Sequence, residues 1–241
     1  MIGVKALIAE LKPKFDRIGK ATKKAKKNIA DRGEKASKEL LALEVDLVLA
    51  EWDEKIKRGE DIQKQLCIKE LKENSKAVLE ERDLYYNRDN YSHERSNCEL
   101  VNRTTYLEKF LYSPKYDIVG YADKIVVERN TITIIDNKVW DRVIRSSSYK
   151  TDNGFQVVGE KMLEPLQHLD NCNYNDAALQ LSLYMYLAWE SNKHLKIGKL
   201  YIRHIKLNDS GKKVSDKLIQ VPYMKEEVKK ILKYKKLNDE G

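Results

Sequence analysis

Cysteine is scarce in this chain. Cys67, Cys98 and Cys172 are odd in number and far apart, and no two of them make a C-x-x-C pair. That argues against a disulfide framework, a structural zinc site and an iron–sulfur centre, and it points to a reducing cytoplasm. No proline follows Pro13 until Pro114, so nothing of that kind breaks a helix in the first part of the chain. No run approaches the ~18 apolar residues of a membrane span, so no membrane partner is expected. The start, "MIGVKALIAELKPKF", lacks the continuous apolar stretch and small-residue cleavage site of a secretory signal. There is no internal repeat and no low-complexity segment. Nothing resembles an RNA-recognition motif with interleaved aromatics, which leaves little to recommend a basic RNA- or protein-binding module.

What is present is charge. Of the 241 residues, 35% are charged and 41% apolar, with a formal net charge of +8. The length suits one domain with elaborations, and the apolar fraction suffices for a core. The basic excess favours an anionic partner such as nucleic acid. It is uneven: "KPKFDRIGKATKKAKK", Lys12 to Lys27, holds eight Lys or Arg against one Asp. That stretch reads either as a solvated helix face or as a phosphate-contacting surface. Lys225–Lys236 is a second basic stretch.

Residues 1–82 read as an N-terminal helical region packed on a core formed by 83–241. "KASKELLALEVDLVLAEWDEKIKRGEDI" places Leu40, Leu43, Leu47, Trp52 and Ile56 at near-helical spacing. Gly59 could end that helix, and "IQKQLCIKELKENSKAVLEER" suggests another. Residues 83–103 read as a polar loop. Three strand-like runs follow, "TTYLEKFLYS", "YDIVGYADKIVVE" and "TITIIDNKVW", with a turn at Glu128–Asn130. Residues 145–175 read as a long irregular segment. "NDAALQLSLYMYLAWESN" predicts a helix capped by Asn175 or Asp176. "KIGKLYIRHIKL" and "KLIQVPY" predict strands, and "KEEVKKILKYKK" a basic C-terminal helix. This order fits an α/β (α+β) architecture, a mixed central sheet flanked by helices.

Within the second and third runs, charges stand where a strand wants apolar residues. Strand side chains alternate, so Ile134, Asp136 and Lys138 share one face. Gly120, three residues before Asp123, allows close backbone approach or a bend. If the two runs pair through their turn, Asp123 and Asp136 converge near the outer ends. Taken alone, Asp136 and Lys138 also read as a strand-end salt bridge. Gln180 and Tyr184 lie four apart on one helix face. Gln180, amid Leu179, Leu181, Leu183 and Leu187, needs a partner if it is buried.

The ordered set Gly120-x-x-Asp123, then Asp136-x-Lys138, then Gln180-x-x-x-Tyr184 resembles the pattern of PD-(D/E)XK nucleases. The RecB-like branch, and its standalone phage members, look nearest. The resemblance runs from about Thr104 to Lys206. It implies a metal-dependent DNA nuclease using Mg²⁺ or Mn²⁺. Asp123 and Asp136 would be metal ligands, joined by the Asn137 backbone carbonyl, since hard cations take oxygen ligands. Lys138 would orient the attacking water or stabilise charge on the phosphate. Glu108 matches an acidic position of the branch, for a second metal or for Lys138; it reads equally as an exposed strand residue. Gln180 and Tyr184 would support the site or touch phosphate; helix packing is the other reading.

The pattern is not complete. Many RecB-like members carry a His on a leading helix, a few residues after a Gly. Here "RGEDIQKQ" has Gln63 at that place, and His93, His168, His194 and His204 all lie elsewhere. Two expectations follow. One is an active exonuclease of phage recombination or replication, in the host cytoplasm. The other is a weakened or inactive nuclease-fold protein that binds DNA or joins a phage virion or its assembly.

Overall fold

The computed structural model describes residues 2–13, 17–79, 98–150, 156–157, 159–208 and 210–239. In chain order the elements are β1 (Ile2–Gly3), α1 (Val4–Glu10), α2 (Arg17–Asp31), α3 (Lys38–Glu73), β2 (Ala77–Leu79), β3 (Thr104–Ser113), β4 (Ile118–Glu128), β5 (Thr131–Val139), β6 (Tyr149–Lys150), β7 (Gln156–Val157), α4 (Asn173–Ser191), β8 (Lys196–Leu207), β9 (Lys213–Val221) and α5 (Lys225–Asp239). They form two compact units. One joins Met1–Pro13 to Cys67–Gly241; the other is Lys14–Leu66.

The Lys14–Leu66 unit is a helical hairpin. Ala21, Ala25 and Ile29 of α2 pack with Val48 of α3, flanked by Leu41, Val45, Leu49 and Trp52. The opposite side of α2 exposes Lys20, Lys23, Lys26 and Lys27. Gly33 ends α2 with φ 72°, and the Glu34 N–H reaches back to the Ile29 carbonyl, as in a Schellman cap. Ser37 Oγ then caps α3 by accepting from the Leu40 N–H at 3.1 Å. Gly59 does not end α3, which runs through it to Glu73. A single glycine costs a helix only about 1 kcal/mol, too little to stop one of this length. The two helices anticipated on either side of Gly59 are therefore one.

The larger unit is built on a mixed seven-stranded sheet. Its order is β2-β3-β4-β5-β8-β9, with β1 also paired to β4. The β3–β4–β5 meander is antiparallel, β5–β8 is parallel across the α4 crossover, and β8–β9 is antiparallel. Arg129 and Asn130 both have left-handed φ, 49° and 56°, which a two-residue β4–β5 hairpin turn requires. β1 and β2 fall in the region expected to be helical. Each is only two or three residues long and is held by parallel pairing to β4 or β3, a tertiary contact that local periodicity does not reveal. β9 begins at Lys213, before the anticipated "KLIQVPY". Of the loop expected at 83–103, residues 83–97 lie outside the described residues.

α4 covers the sheet. Leu179, Leu181, Leu183 and Leu187 are fully buried, each contributing roughly 1.5–3 kcal/mol. α1 and α5 pack on α4 in turn. α4 starts at Asn173, with Cys172 at the cap position and no side-chain cap bond. Neither Asn175 nor Asp176 caps it, because each is committed elsewhere: Asn175 Nδ2 donates to the Asp170 carbonyl and Asp176 accepts from Lys12. Of residues 145–175, those described before α4 are mostly irregular, with β6 and β7 paired as a small separate ribbon. The architecture is mixed α/β, of the α+β kind. Among the described residues no helix is long and apolar enough to cross a membrane.

Candidate active site

The site lies where β4 loses its neighbour. The β4–β5 ladder ends at the pair Lys124–Ile135. Further along the same strand, Ile118 and Val119 pair with β1 instead. Between these partners the backbone of β4 has no ladder on that side, and Asp123 stands there. The next N–H of β5 that faces the gap, that of Asn137, donates to Asp123 Oδ2 at 2.7 Å. A carboxylate thus takes the place of a backbone carbonyl in the ladder.

The inward positions also change phase here. On β4 they run Ile118, Gly120 and Ala122, then Ile125 and Val127. On β3 the residue opposite Asp123 is Glu108, which takes φ 53° and is absent from an otherwise unshifted register. A non-glycine residue with left-handed φ inside a strand is strained. The irregularity buries Asp123, 8% exposed, and brings the Glu108 charge near it.

From β5, Asp136 and Lys138 reach the same place along the alternation Ile132, Ile134, Asp136, Lys138. From α4 come Gln180 and Tyr184, both buried. Lys138 Nζ lies 2.6 Å from Asp136 Oδ2 and donates to Gln180 Oε1 at 2.9 Å. Gln180 Nε2 donates to Asp136 Oδ1 at 3.2 Å and to Tyr184 Oη at 2.9 Å. Gln180 has the partners its burial requires, and they orient its amide: the oxygen faces the ammonium. Asp136 Oδ2, though close to Lys138, has no aligned hydrogen-bond donor and is buried.

Electrostatics follow from this packing. Burial first, then the Asp136 charge, pushes Asp123 up to about 7, and Glu108 adds to the shift. Burial alone would depress Lys138, but Asp136 and Asp123 outweigh it, so its pKa is raised and it stays an ammonium. Burial, then Asp136 and Asp123, raise Tyr184 well above the ordinary phenol value, so it acts as a neutral hydroxyl.

The donors suit a hard divalent cation. Two carboxylates repel each other in a buried place, and one of their oxygens lacks a hydrogen bond. Among the described residues no three His, Cys, Asp or Glu side chains form a group able to hold a metal ion. Mg²⁺ commonly takes only one or two carboxylates, with waters and substrate phosphate completing its shell, so a two-carboxylate set remains compatible. Gln63, where the resemblance expects His, is half-buried on α3 in the Lys14–Leu66 unit.

The structure brings Asp123, Asp136, Asn137, Lys138, Gln180 and Tyr184 together, with Glu108 opposite Asp123. It also reveals a cleft of about 240 Å³ beside Lys138 and Gln180, with Lys5, Lys12, Trp140 and Asp176 among its walls. The reading of the sequence gives Lys5 and Trp140 no role, Lys12 only a place in the basic stretch Lys12–Lys27, and Asp176 only that of a helix cap. The one local signal is the i, i+3, i+7 spacing of Lys5, Ile8 and Lys12, although α1 itself ends at Glu10.

No family model matches the chain, and no curated protein matches it. Among solved structures it is similar to the crystal structure of SSO0001, at 17% identity and a TM-score of 0.25. That match covers 61% of this chain and 54% of the other, so the chain spans about half the length of that protein. A likeness this weak carries no argument about function.

Proposed function

We propose that the chain is a metal-dependent DNA nuclease of the PD-(D/E)XK type, hydrolysing phosphodiester bonds. The observation that carries the reading is the convergence of Asp123, Asp136 and Lys138 at the gap beside β4. Asp123 and Asp136 would hold the cation, with the Asn137 carbonyl and Glu108 as further oxygen donors. Bound Mg²⁺ or Mn²⁺ supplies Lewis acidity toward the phosphate and makes water a better nucleophile.

The remaining roles belong to this chain's own side chains. Lys138, kept charged by the two carboxylates, offers an N–H to the water or to the charge that builds on the phosphate. Gln180 holds that ammonium in place through its oxygen and fixes Asp136 through its nitrogen. Tyr184 accepts the nitrogen's other N–H and closes the network on its buried side. An exonuclease serving phage recombination or replication is the finer reading, and it rests on the resemblance alone. The test is cleavage of linear and circular DNA with and without Mn²⁺. Unchanged cleavage in both Asp136→Ala and Lys138→Ala would sink the reading.

A second reading keeps the fold and drops the activity: a DNA-binding or virion-assembly component. Gln63 in place of His, and the absence among the described residues of a three-residue metal group, favour it. It predicts DNA binding without Mn²⁺ or Mg²⁺ uptake in calorimetry.

A further inference from the structure

The cleft beside Lys138 has a makeup of its own. Three lysines, Lys5, Lys12 and Lys138, line its volume of about 240 Å³ together with a single acidic residue, Asp176. Lys138 is already engaged with Asp136 and Gln180. Asn173, also in the wall, is committed to the backbone: its Nδ2 donates to the Arg142 carbonyl and its Oδ1 accepts from the Ile144 N–H. The charge open to an incoming anion is therefore first that of Lys5, with Lys12, whose ammonium keeps N–H groups beyond its bond to Asp176, as a second donor. Lys5 is exposed and makes no ion pair among the described residues. Lys12 is held by Asp176 Oδ2 at 2.7 Å, both side chains about one-third exposed, which fixes the ammonium at the cleft wall. Asp176 Oδ1 is buried without a hydrogen-bond partner, an acceptor left over for a ligand hydroxyl or a water.

The opposite feature of the cleft is aromatic. Trp140 is half-buried, its carbonyl accepts from His204 Nε2 at 2.9 Å, and the two ring centroids sit 6.3 Å apart. The indole is thus braced on one side and borders the cleft on another. A cationic wall next to an aromatic face is the combination by which proteins hold unpaired nucleic-acid strands. The volume is below the roughly 300–1,000 Å³ of sites for drug-sized ligands, so it admits one unit of a strand and not a paired duplex.

We propose that this cleft is a subsite for one nucleotide of an unpaired DNA strand, with Lys5 and Lys12 on its phosphate and the Trp140 ring against its base. The proposal rests on the nuclease reading and refines it: the substrate class is single-stranded DNA or an unpaired end, seated beside Lys138.

The test is binding of a short fluorescein-labelled oligothymidylate, and of a hairpin duplex of equal length, in EDTA so that no cleavage intervenes. Wild type binds the single strand more tightly than the hairpin. Lys5→Gln/Lys12→Gln weakens single-strand binding about tenfold at low salt. It also makes the slope of log affinity against log salt shallower by about 0.7, the loss of one phosphate contact. Trp140→Leu weakens single-strand binding by about five- to a hundredfold, Trp140→Phe restores most of it, and hairpin binding is unmoved. Equal affinity and slope in a lysine double variant that melts like wild type overturns the proposal. So does a Trp140→Leu loss that is the same for strand and hairpin. Wild-type cleavage with Mn²⁺ is measured in parallel. Cleavage with unaltered binding in these variants removes the subsite and leaves the nuclease. No cleavage with the binding losses intact removes the nuclease and leaves the subsite.

Discussion

Gly120 and Tyr184 are fitted to each other. A methyl group on Gly120 would lie 3.0 Å from Tyr184 Cδ1, closer still to Cε1, and 3.2 Å from Val4 Cγ2. The absent side chain of β4 is therefore the space into which α4 seats the aromatic end of the Gln180 network.

Gly120→Ala is expected to push the Tyr184 ring and, through it, Gln180. Tyr184 is 1% exposed and has nowhere to go, so overpacking costs about 1–3 kcal/mol. Urea denaturation reads the stability loss. Cleavage falls further than stability alone explains, because Gln180 positions both Lys138 and Asp136. A variant that melts normally with full activity would contradict this coupling.

On the proposed nuclease reading, Asp136→Ala and Lys138→Ala are each expected to lower cleavage by about 10²–10³-fold, the scale of losing one transition-state donor or its fixed partner. Asp136→Ala also leaves the half-buried Lys138 without the carboxylate 2.6 Å away, at a cost of up to about 3–5 kcal/mol. Lys138→Met removes the ammonium without leaving its charge behind, so it lowers activity with a smaller stability loss. Rates beside chemical denaturation of the three variants separate the two effects.

Asp123 carries a sign that can be checked. Its folded pKa is about 7, raised by burial and by Asp136, above the ordinary carboxylate value of about 3.9. The folded state then binds more protons than the unfolded one between those values, so this group's contribution is fully present below about 4. It is lost as pH rises through about 7. Asp123→Asn removes that loss, and its melting temperature gains on wild type as pH goes from 4 to 8. If the proposed cation binds, its affinity in wild type is expected to run the other way, rising through pH 7 as the proton leaves. Calorimetry in two buffers reads that proton release, and its absence would argue against Asp123 as a ligand.

Asn192 tests the fold apart from the site. It is fully buried at the end of α4. Its Oδ1 accepts from the Leu100 N–H, and its Nδ2 donates to the Cys98 and Ala188 carbonyls, each at 2.8 Å. Asn192→Ala strands a buried backbone N–H and a carbonyl, at about 1–3 kcal/mol apiece. Thermal melting is expected to fall with the DNA-binding salt slope unchanged.

Much of this molecule follows from local pattern. The period-two alternation of β5 and the low-polarity run of α4 dictate those elements, and the turn at Glu128–Asn130 dictates their hairpin partner. The polarity of Gln180 within a leucine-rich helix announced a buried network, since an unpaired amide there would be costly. The pairing of Asp136 with Lys138 was legible for the same reason: two residues on one strand face must meet.

Other features depend on neighbours remote in sequence. Whether Gly59 ended its helix turned on the small cost of one glycine against a long helix. β1 and β2 exist only because β4 and β3 offer them an edge. The phase change at Glu108 and Asp123 falls where β4 exchanges β5 for β1 along its other edge, and no periodicity encodes a strand's partner. The cleft likewise joins Lys5 and Lys12 to Asp176 and Trp140, residues brought together by packing of α1 on α4. By itself the sequence determined which residues could be ionised, apolar or on one face, because those are properties of side-chain chemistry and backbone period. Only the tertiary structure decided which of those charges are buried together, because burial and proximity belong to the packed chain.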